Sequence, residues 1–446
     1  MFSPILVMQT NTDMKVINSK QISPFGGLNF VIKALDNLSI GSILNKELPD
    51  LPKQSQFDWR DILYNFWSIY FCGGDCIEDL SDNLKHTLKD NPLLRSCSPD
   101  SLLKRMKELS VPSKEFGTPR GNSSHQFSFN DRLNELNIKL LNTAGLIKDS
   151  EHPVVLDYDN TLIFTEKSDA KKTYKKAFGY APGVGIIEDK VVYVENRNGN
   201  SDAQTLQQDT LARMFSLLKK QGVKVDVFRA DSASYQLSTL LEVVENVDKF
   251  YIKARMNAQL YNTINTIENW EKVEIDGEEA YRASIEFSPF KQAASRLKYK
   301  NPLKNYRYVV TKIKRNDGQL NLFTGEDYTY SAIITNDKGL SNDQVVFFYN
   351  QRGKIEREFD ALKNDFGWGN LPFSKLEQNT VFLLFSAICK NLYAHIIKEF
   401  SKKAKGLKAN FRIKKFIFRF ICTPAKWVKN ARSWKLRIYG SLAFKT

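Results

Sequence analysis

The stretch "VVFFYNQRGKIEREFDALKND", residues 345–365, decides how the rest of the chain is read. Its opening, residues 345–350, reads as a short apolar strand, and the remainder as a helix. At about 100° per residue, with Arg352 at zero, Glu356 falls at about 40°, Lys363 at about 20° and Tyr349 at about 60°. Four polar groups therefore share one narrow stripe. Ile355, Phe359, Leu362 and Phe366 fall at roughly 280–340° on the same wheel and give an apolar face beside it. An amphipathic helix with a charged shoulder explains that pattern alone, so the rest of the chain must show whether the stripe does more.

At 446 residues the chain is long enough for two or three domains, and its 42% hydrophobic content with 30 Phe allows a sizeable core. That excludes a disordered chain. The five cysteines (Cys72, Cys76, Cys97, Cys389, Cys422) are few and scattered. Cys72 and Cys76 have no second Cys/His pair at zinc spacing, so they read as buried thiols in a reducing compartment. The four histidines, His86, His125, His152 and His395, lie far apart in sequence, which argues against a His-built metal site or triad. "MFSPILVMQT" at the start lacks the basic flank and cleavage site of a signal peptide. The apolar run 381–388 is shorter than the ~20 residues a bilayer span needs. A soluble, cytoplasmic protein without membrane contact is expected.

Charge is distributed unevenly. Residues 401–446 carry 14 Lys/Arg and no acid, against 51 basic and 50 acidic residues in 1–400. Phe411, Phe416, Phe418, Phe420, Trp427, Trp434 and Tyr439 interleave with those cations. A basic tail with aromatics is suited to phosphate attraction and base stacking, and a solvated tail or membrane-surface helix is the plainer alternative.

Residues 1–110 read as several short helices, suited to a DNA-binding domain, with Lys104, Arg105 and Lys107 exposed on the last. Residues 111–130, rich in Gly, Ser and Pro, read as a linker, so that 111–150 joins linker and connecting helix. From 151 to 249 three strands, a helix, a strand and a helix follow one another, the order of a ribonuclease-H-like α/β core. Residues 250–340 read as a β-rich insertion. Residues 341–400 return to the core with the quoted stretch and a final amphipathic helix near 377–400, before the basic tail 401–446.

Asp157 and Asp159 end the first strand, "PVVLDYDNTLIF", and Asp231 ends "VKVDVFRAD". Carboxylates at the ends of adjacent strands, with Glu356 on a facing helix, can hold two Mg²⁺ ions, about 3.5–4 Å apart, one activating the nucleophile and one stabilising the leaving oxygen. Hard cations prefer oxygen ligands, so scarce His and Cys do not count against this. Arg352 and Lys363 would flank the acid as partners of DNA phosphate, and Tyr349 would stack on or hydrogen-bond a strand.

Tyr349, Arg352, Glu356 and Lys363 fit Y-(2)-R-(3)-E-(6)-K without a gap, and the chain thereby resembles the bacterial insertion-sequence DDE transposases that carry this signature. "DNT" at 159–161, "RADSASY", "SPFGGL" and "NLPFSKLEQNTVFLLFSAICKNLYAHI" are similar to that group as well. The resemblance implies metal-dependent cleavage at the element's ends and transfer of the 3′-hydroxyl to target DNA. It also implies Asp159, Asp231 and Glu356 as catalytic metal ligands, Mg²⁺ (or Mn²⁺) as cofactor, terminal inverted repeats and target DNA as partners, and a homodimer in the synaptic complex. Some members pass through a hairpin, with Tyr349, Arg352 and Lys363 gripping a displaced end. Trp270 or Trp368 would stack on a flipped base unless, as is more usual, they pack in a core.

Asp157 remains an alternative first acid, since residues two apart on a strand share a face. "LDYDNTL" also resembles the D-x-D-x-T motif of haloacid-dehalogenase-like phosphatases, in which Asp157 would be the nucleophile. That reading needs a late acidic pair which "SNDQVVFF" does not provide, and leaves the Tyr349–Lys363 spacing and the tail unexplained. A third reading is a DNA-binding protein with an inactive core.

Overall fold

The computed structural model describes residues 22–117, 124–147, 152–301 and 303–440. The N-terminal "MFSPILVMQT" lies outside them, as do 118–123 of the expected linker and 441–446 of the tail.

Among the described residues, eleven strands form one sheet. From one edge they run Lys114–Gly117, Ser124–Phe129, Lys190–Arg197, Gly183–Ile187, Val155–Asn160, Val227–Ala230, Lys249–Lys253, Tyr328–Thr335, Tyr306–Lys314, Glu278–Phe287 and Glu271–Ile275. Only the central three, Val155–Asn160, Val227–Ala230 and Lys249–Lys253, are mutually parallel. Their connections run through the helices Gln207–Lys220 and Leu237–Asn246, long crossovers of the kind parallel pairing requires. "KFYIK", read as the start of an insertion, is the third of these parallel strands. Later strands of the 250–340 block extend the same sheet antiparallel. Residues 124–129, expected in a linker, instead pair with Lys190–Arg197.

Each face has its own cover. Leu156, Tyr158, Phe228, Ala230, Phe250 and Ile252 point one way, into a core shared with Leu211, Met214, Leu218 and Leu240 of the crossover helices. On the opposite face, Val227, Tyr251, Val309 and Ile333 pack against Val345 and Val346, and Val184, Ile186, Val191 and Val194 join the largest core. This second face carries the candidate acids.

The largest core is built around the helix Leu376–Lys403 (28 residues), whose central residues are buried on every side rather than along one amphipathic stripe. A helix apolar all round belongs inside a protein or a membrane. Its length and composition suffice to cross a bilayer, and 89% of its most apolar window is buried within the fold. Trp59–Phe71 of the N-terminal helices packs on it, with Trp67 Nε1 donating to the Phe385 carbonyl at 3.0 Å and Phe66 edge-on to Phe382. The N-terminal helices and this long helix thus share one core.

The basic segment is folded too. Ile413, Phe416, Phe420 and Ile421 are buried in that core, and Gly27 lies so close that a Cβ there would sit 2.4 Å from the Phe420 carbonyl. The strands Ala425–Asn430 and Ser433–Ile438 form a hairpin carrying Lys426, Lys429, Arg432, Lys435 and Arg437. Part of the aromatic interleaving is therefore core packing, while Phe418, Trp434 and Tyr439 stay exposed.

Phe382→Ala should cost about 3–5 kcal/mol through the cavity left between the long helix and Phe66. In a urea titration the N-terminal helices and the sheet should lose structure in one shifted transition. Separate melting of residues 22–110 would show that the shared core does not couple them.

Candidate active site

The parallel register sets the site. It opposes Leu156 to Phe228, Asp157 to Arg229 and Tyr158 to Ala230. Side chains alternate along a strand, so Asp157, Asp159, Arg229 and Asp231 emerge on one face. Asp157 accepts two hydrogen bonds from Arg229, both at 2.7 Å, in a pair about 6–7% exposed on each side chain. Arg229 also donates to the Phe348 carbonyl at 2.7 Å, and its guanidinium lies over the Phe348 ring. Both Asp157 oxygens are thereby engaged.

One position further on, Asp159 and Asp231 stand at neighbouring strand ends, and strands lie about 4.8 Å apart. Asp231 leaves its strand extended and caps the 3-10 turn Ser232–Ser234 by accepting from the Ala233 amide at 3.0 Å. Asp159 Oδ1 accepts from the Asn160 amide at 2.8 Å, and Oδ2 accepts from Arg352 Nη2 at 2.6 Å. Burial pushes the Asp159 carboxyl up to about 6, with Asp231 adding to the rise and Arg352 opposing it. Desolvation outweighs the single cation. Arg352 is itself buried, and its Nε has no hydrogen-bond partner among the described residues.

The quoted stretch departs from expectation at its start. Residues 345–350 are not a strand but belong to the helix Asn342–Asn350. Ser341 opens it with a capping box, accepting from the Gln344 amide while the Gln344 side chain accepts from the Ser341 amide. A 3-10 turn, Gln351–Gly353, then leads into the helix Lys354–Asp365. Three residues at about 120° instead of 100° rotate Glu356 and Lys363 away from the uniform wheel.

Tyr349, Arg352, Asp159 and Asp231 are brought together: the half-buried Tyr349 hydroxyl is pushed up to about 12 by burial, within the field of all three. Glu356 lies in the first turn of the next helix, exposed, with no hydrogen bond or ion pair to another described side chain. Lys363 lies two turns beyond, half-buried, its ammonium pushed down by burial and by the nearby Lys175. Arg229 was not singled out from sequence, although its place two residues before Asp231 repeats the spacing of Asp157 and Asp159. Trp368 is fully buried and donates to the Leu383 carbonyl, and Trp270 packs against Tyr330 beneath Lys312, so both serve cores.

Two carboxylates side by side, offset by one guanidinium, form an oxygen donor set that fits a hard divalent cation. Asp75, Cys76 and Asp79 also converge, but there Asp79 Oδ2 accepts from the Asp75 and Cys76 amides as a loop cap. Cys72 is buried as expected; Cys76 is partly exposed.

The family model described as transposase DDE domain group 1 matches residues 11–446. The chain belongs to that family. It is therefore a DDE transposase. No curated protein matches it. Among solved structures it is similar to the piggyBac transposase in a synaptic complex with hairpin DNA, at 11% identity and a TM-score of 0.44, over 87% of this chain and 78% of that one.

Arg229→Ala would leave Asp157 buried without its partner and should cost the transposase about 3–5 kcal/mol. Asp157→Asn/Arg229→Met should recover most of that loss. Chemical denaturation of the single and double variants measures both, and equal losses would show that the pair is not a closed unit.

Proposed function

We propose that the protein is a bacterial insertion-sequence transposase of the Y-R-E-K group, which cleaves at the element's ends and joins the freed 3′-hydroxyl to target DNA. The observation that carries this reading is the side-by-side placement of Asp159 and Asp231, with Arg352 reaching the first acid from the Tyr349–Lys363 stretch. A ribonuclease-H-like core is supported by the strand order. Counting Val155–Asn160 as first, the five central strands run third, second, first, fourth, fifth, with the second antiparallel to the other four.

In this reading Asp159, Asp231 and Glu356 hold divalent cations, Mg²⁺ with Mn²⁺ as substitute. Two such ions supply activation of the attacking oxygen and stabilisation of the leaving one. Arg352 stands where it can exchange a carboxylate for an incoming phosphate, and Tyr349 walls the same spot. Lys363 and Lys175 offer a second phosphate contact further along. The N-terminal helices contribute end recognition, a homodimer brings two ends together, and the protein acts in the cytoplasm without membrane contact. The phosphatase alternative requires Asp157 as a free nucleophile, whereas Arg229 binds both its oxygens.

Asp159→Ala, Asp231→Ala and Glu356→Ala should each abolish Mg²⁺-dependent cleavage of DNA bearing the element's ends while DNA binding persists. Full cleavage by Glu356→Ala would remove it from the ligand set. Because a protonated carboxyl is a poor ligand and Asp159 titrates near 6, Mn²⁺ affinity should fall as pH drops through about 6 and level off above it. Isothermal titration across that range reads the midpoint.

The hairpin cations give a separate expectation. Neutralising Lys426, Lys429, Arg432, Lys435 and Arg437 together should leave the fold intact. It should flatten log K against log salt by about 0.9 for each phosphate that the hairpin no longer neutralises. Truncation at 401 is a poorer test, since it would remove the buried Phe416 and Ile421. An unchanged slope would assign the hairpin to another partner.

A further inference from the structure

A small three-stranded sheet rises directly from the end of the strand that carries Asp159. It consists of Ile163–Phe164, Phe178–Tyr180 and Lys171–Lys172, in that order. Its base is fixed. Tyr180 is buried and donates to Asp169, whose other oxygen accepts from the Leu376 amide at 2.7 Å, at the start of the long core helix. Ser168 Oγ donates to the Ser374 carbonyl at 2.7 Å. At Gly199 the sheet sits so tightly that a Cβ would lie 2.4 Å from the Lys171 carbonyl and 2.5 Å from that of Gly179.

The outer part contrasts with that anchoring. Tyr174 is 74% exposed, Phe164 52% and Phe178 46%. Lys171, Lys172, Lys175 and Lys176 are exposed around them, with Lys172 Nζ 5.6 Å from the Phe178 ring centre. Within residues 163–180 the acids are Glu166 and Asp169, and Asp169 is consumed by its two hydrogen bonds; Glu377 lies near Tyr180 at the base and Asp360 near Lys363. Lys175 acts on the Lys363 ammonium, so the patch spans the ground between Asp159 and the far end of the Tyr349–Lys363 stretch. Three aromatics held in water on a rigid base, ringed by lysines, form a surface with a charge and a shape to match.

We propose that this sheet is a platform for unpaired DNA at the cleaved end, with Tyr174 and Phe178 stacking on bases and the lysines holding the adjoining phosphates. The proposal rests on the strand-cleaving function argued above. Paired bases hide their faces inside the duplex, so exposed rings on the sheet that follows the Asp159 strand select for single-stranded nucleotides; lysines alone would serve a duplex. Ring stacking tolerates any base, which suits a device that handles flanking DNA of variable sequence.

The test uses the intact protein with Ca²⁺ and a duplex bearing a single-stranded overhang labelled with 2-aminopurine, against the same duplex made blunt. Tyr174→Ala/Phe178→Ala should weaken overhang binding by roughly five- to thirtyfold. It should also abolish the fluorescence quenching on binding, and leave blunt-duplex affinity unchanged. Tyr174→Trp should keep the quenching. Lys171→Gln/Lys172→Gln/Lys175→Gln should weaken both DNAs and reduce the salt dependence. Equal loss on both DNAs in the aromatic variant would overturn base stacking. Loss of self-association in sedimentation with overhang binding intact would make the patch a contact between copies of this chain instead. Failure of the unaltered protein to bind either DNA would overturn the DNA reading itself, and so is distinguishable from failure of the platform.

Discussion

The parallel pairing of Val155–Asn160 with Val227–Ala230 is the constraint on which the site depends. It places an opposite-charge pair, Asp157 and Arg229, and a like-charge pair, Asp159 and Asp231, at consecutive positions on one face. A slip of that second strand by one residue would drive Arg229 into the apolar core beside Leu156 and Tyr158 and leave Asp157 buried without a cation. Burying that guanidinium unpaired would cost several kcal/mol. The ion pair therefore locks the register that the two acids require, and a residue outside the acid set determines how close those acids stand.

The acids are costly to hold together. Asp159 is half-buried next to Asp231, and one guanidinium does not restore its ordinary acidity. Arg352 is available for that role because it sits in the 3-10 turn between two helices, where tighter winding carries it in behind Tyr349. In a uniform α-helix, Arg352 and Glu356 would lie one above the other and face the same way. Here the first is buried against Asp159 and the second is exposed. A short 3-10 segment within a helical run is a common place for a change of direction, and this one separates the residue that neutralises the acids from the one expected to join them.

Much of this is legible in the sequence. The β-branched and apolar runs ending in Asp159 and Asp231 give the strands and the acids, because alternation and strand ends are local properties. The helical pattern of residues 354–365 likewise follows from Ile355, Phe359 and Leu362. Residues 345–350 read as a strand because "VVFF" has the composition of one, and the signal that overrides it, the Ser341–Gln344 box, lies just upstream. The Gly/Ser-rich segment that reads as a linker supplies the two outermost strands, Lys114–Gly117 and Ser124–Phe129, the latter paired to residues 195–197, a partnership no local pattern announces. The basic tail hides its packing for the same reason. Phe420 and Ile421 match partners almost four hundred residues earlier in the chain, at Phe30 and Gly27.

That packing goes with ion pairs that engage part of the terminal charge within the fold. Arg412 pairs with Asp360 and with Asp365, at 2.8 Å from Nε to the latter, and Lys414 approaches Asp365 at 3.4 Å. Both acids lie on the helix that carries Glu356. Lys390 of the long core helix pairs with Glu358 on the same helix and also donates to the Asp189 carbonyl. The Lys354–Asp365 helix is thus tied at its middle to the core helix and at its end to the C-terminal segment, while its first turn, with Glu356, has no such tie. Burial of Ile355, Phe359 and Leu362 sets the depth of the helix, and these ion pairs set its angle about that seam. The terminal cations accordingly divide: Arg412 and Lys414 hold the helix that bears a candidate ligand, and the hairpin Ala425–Ile438 carries cations that face solvent.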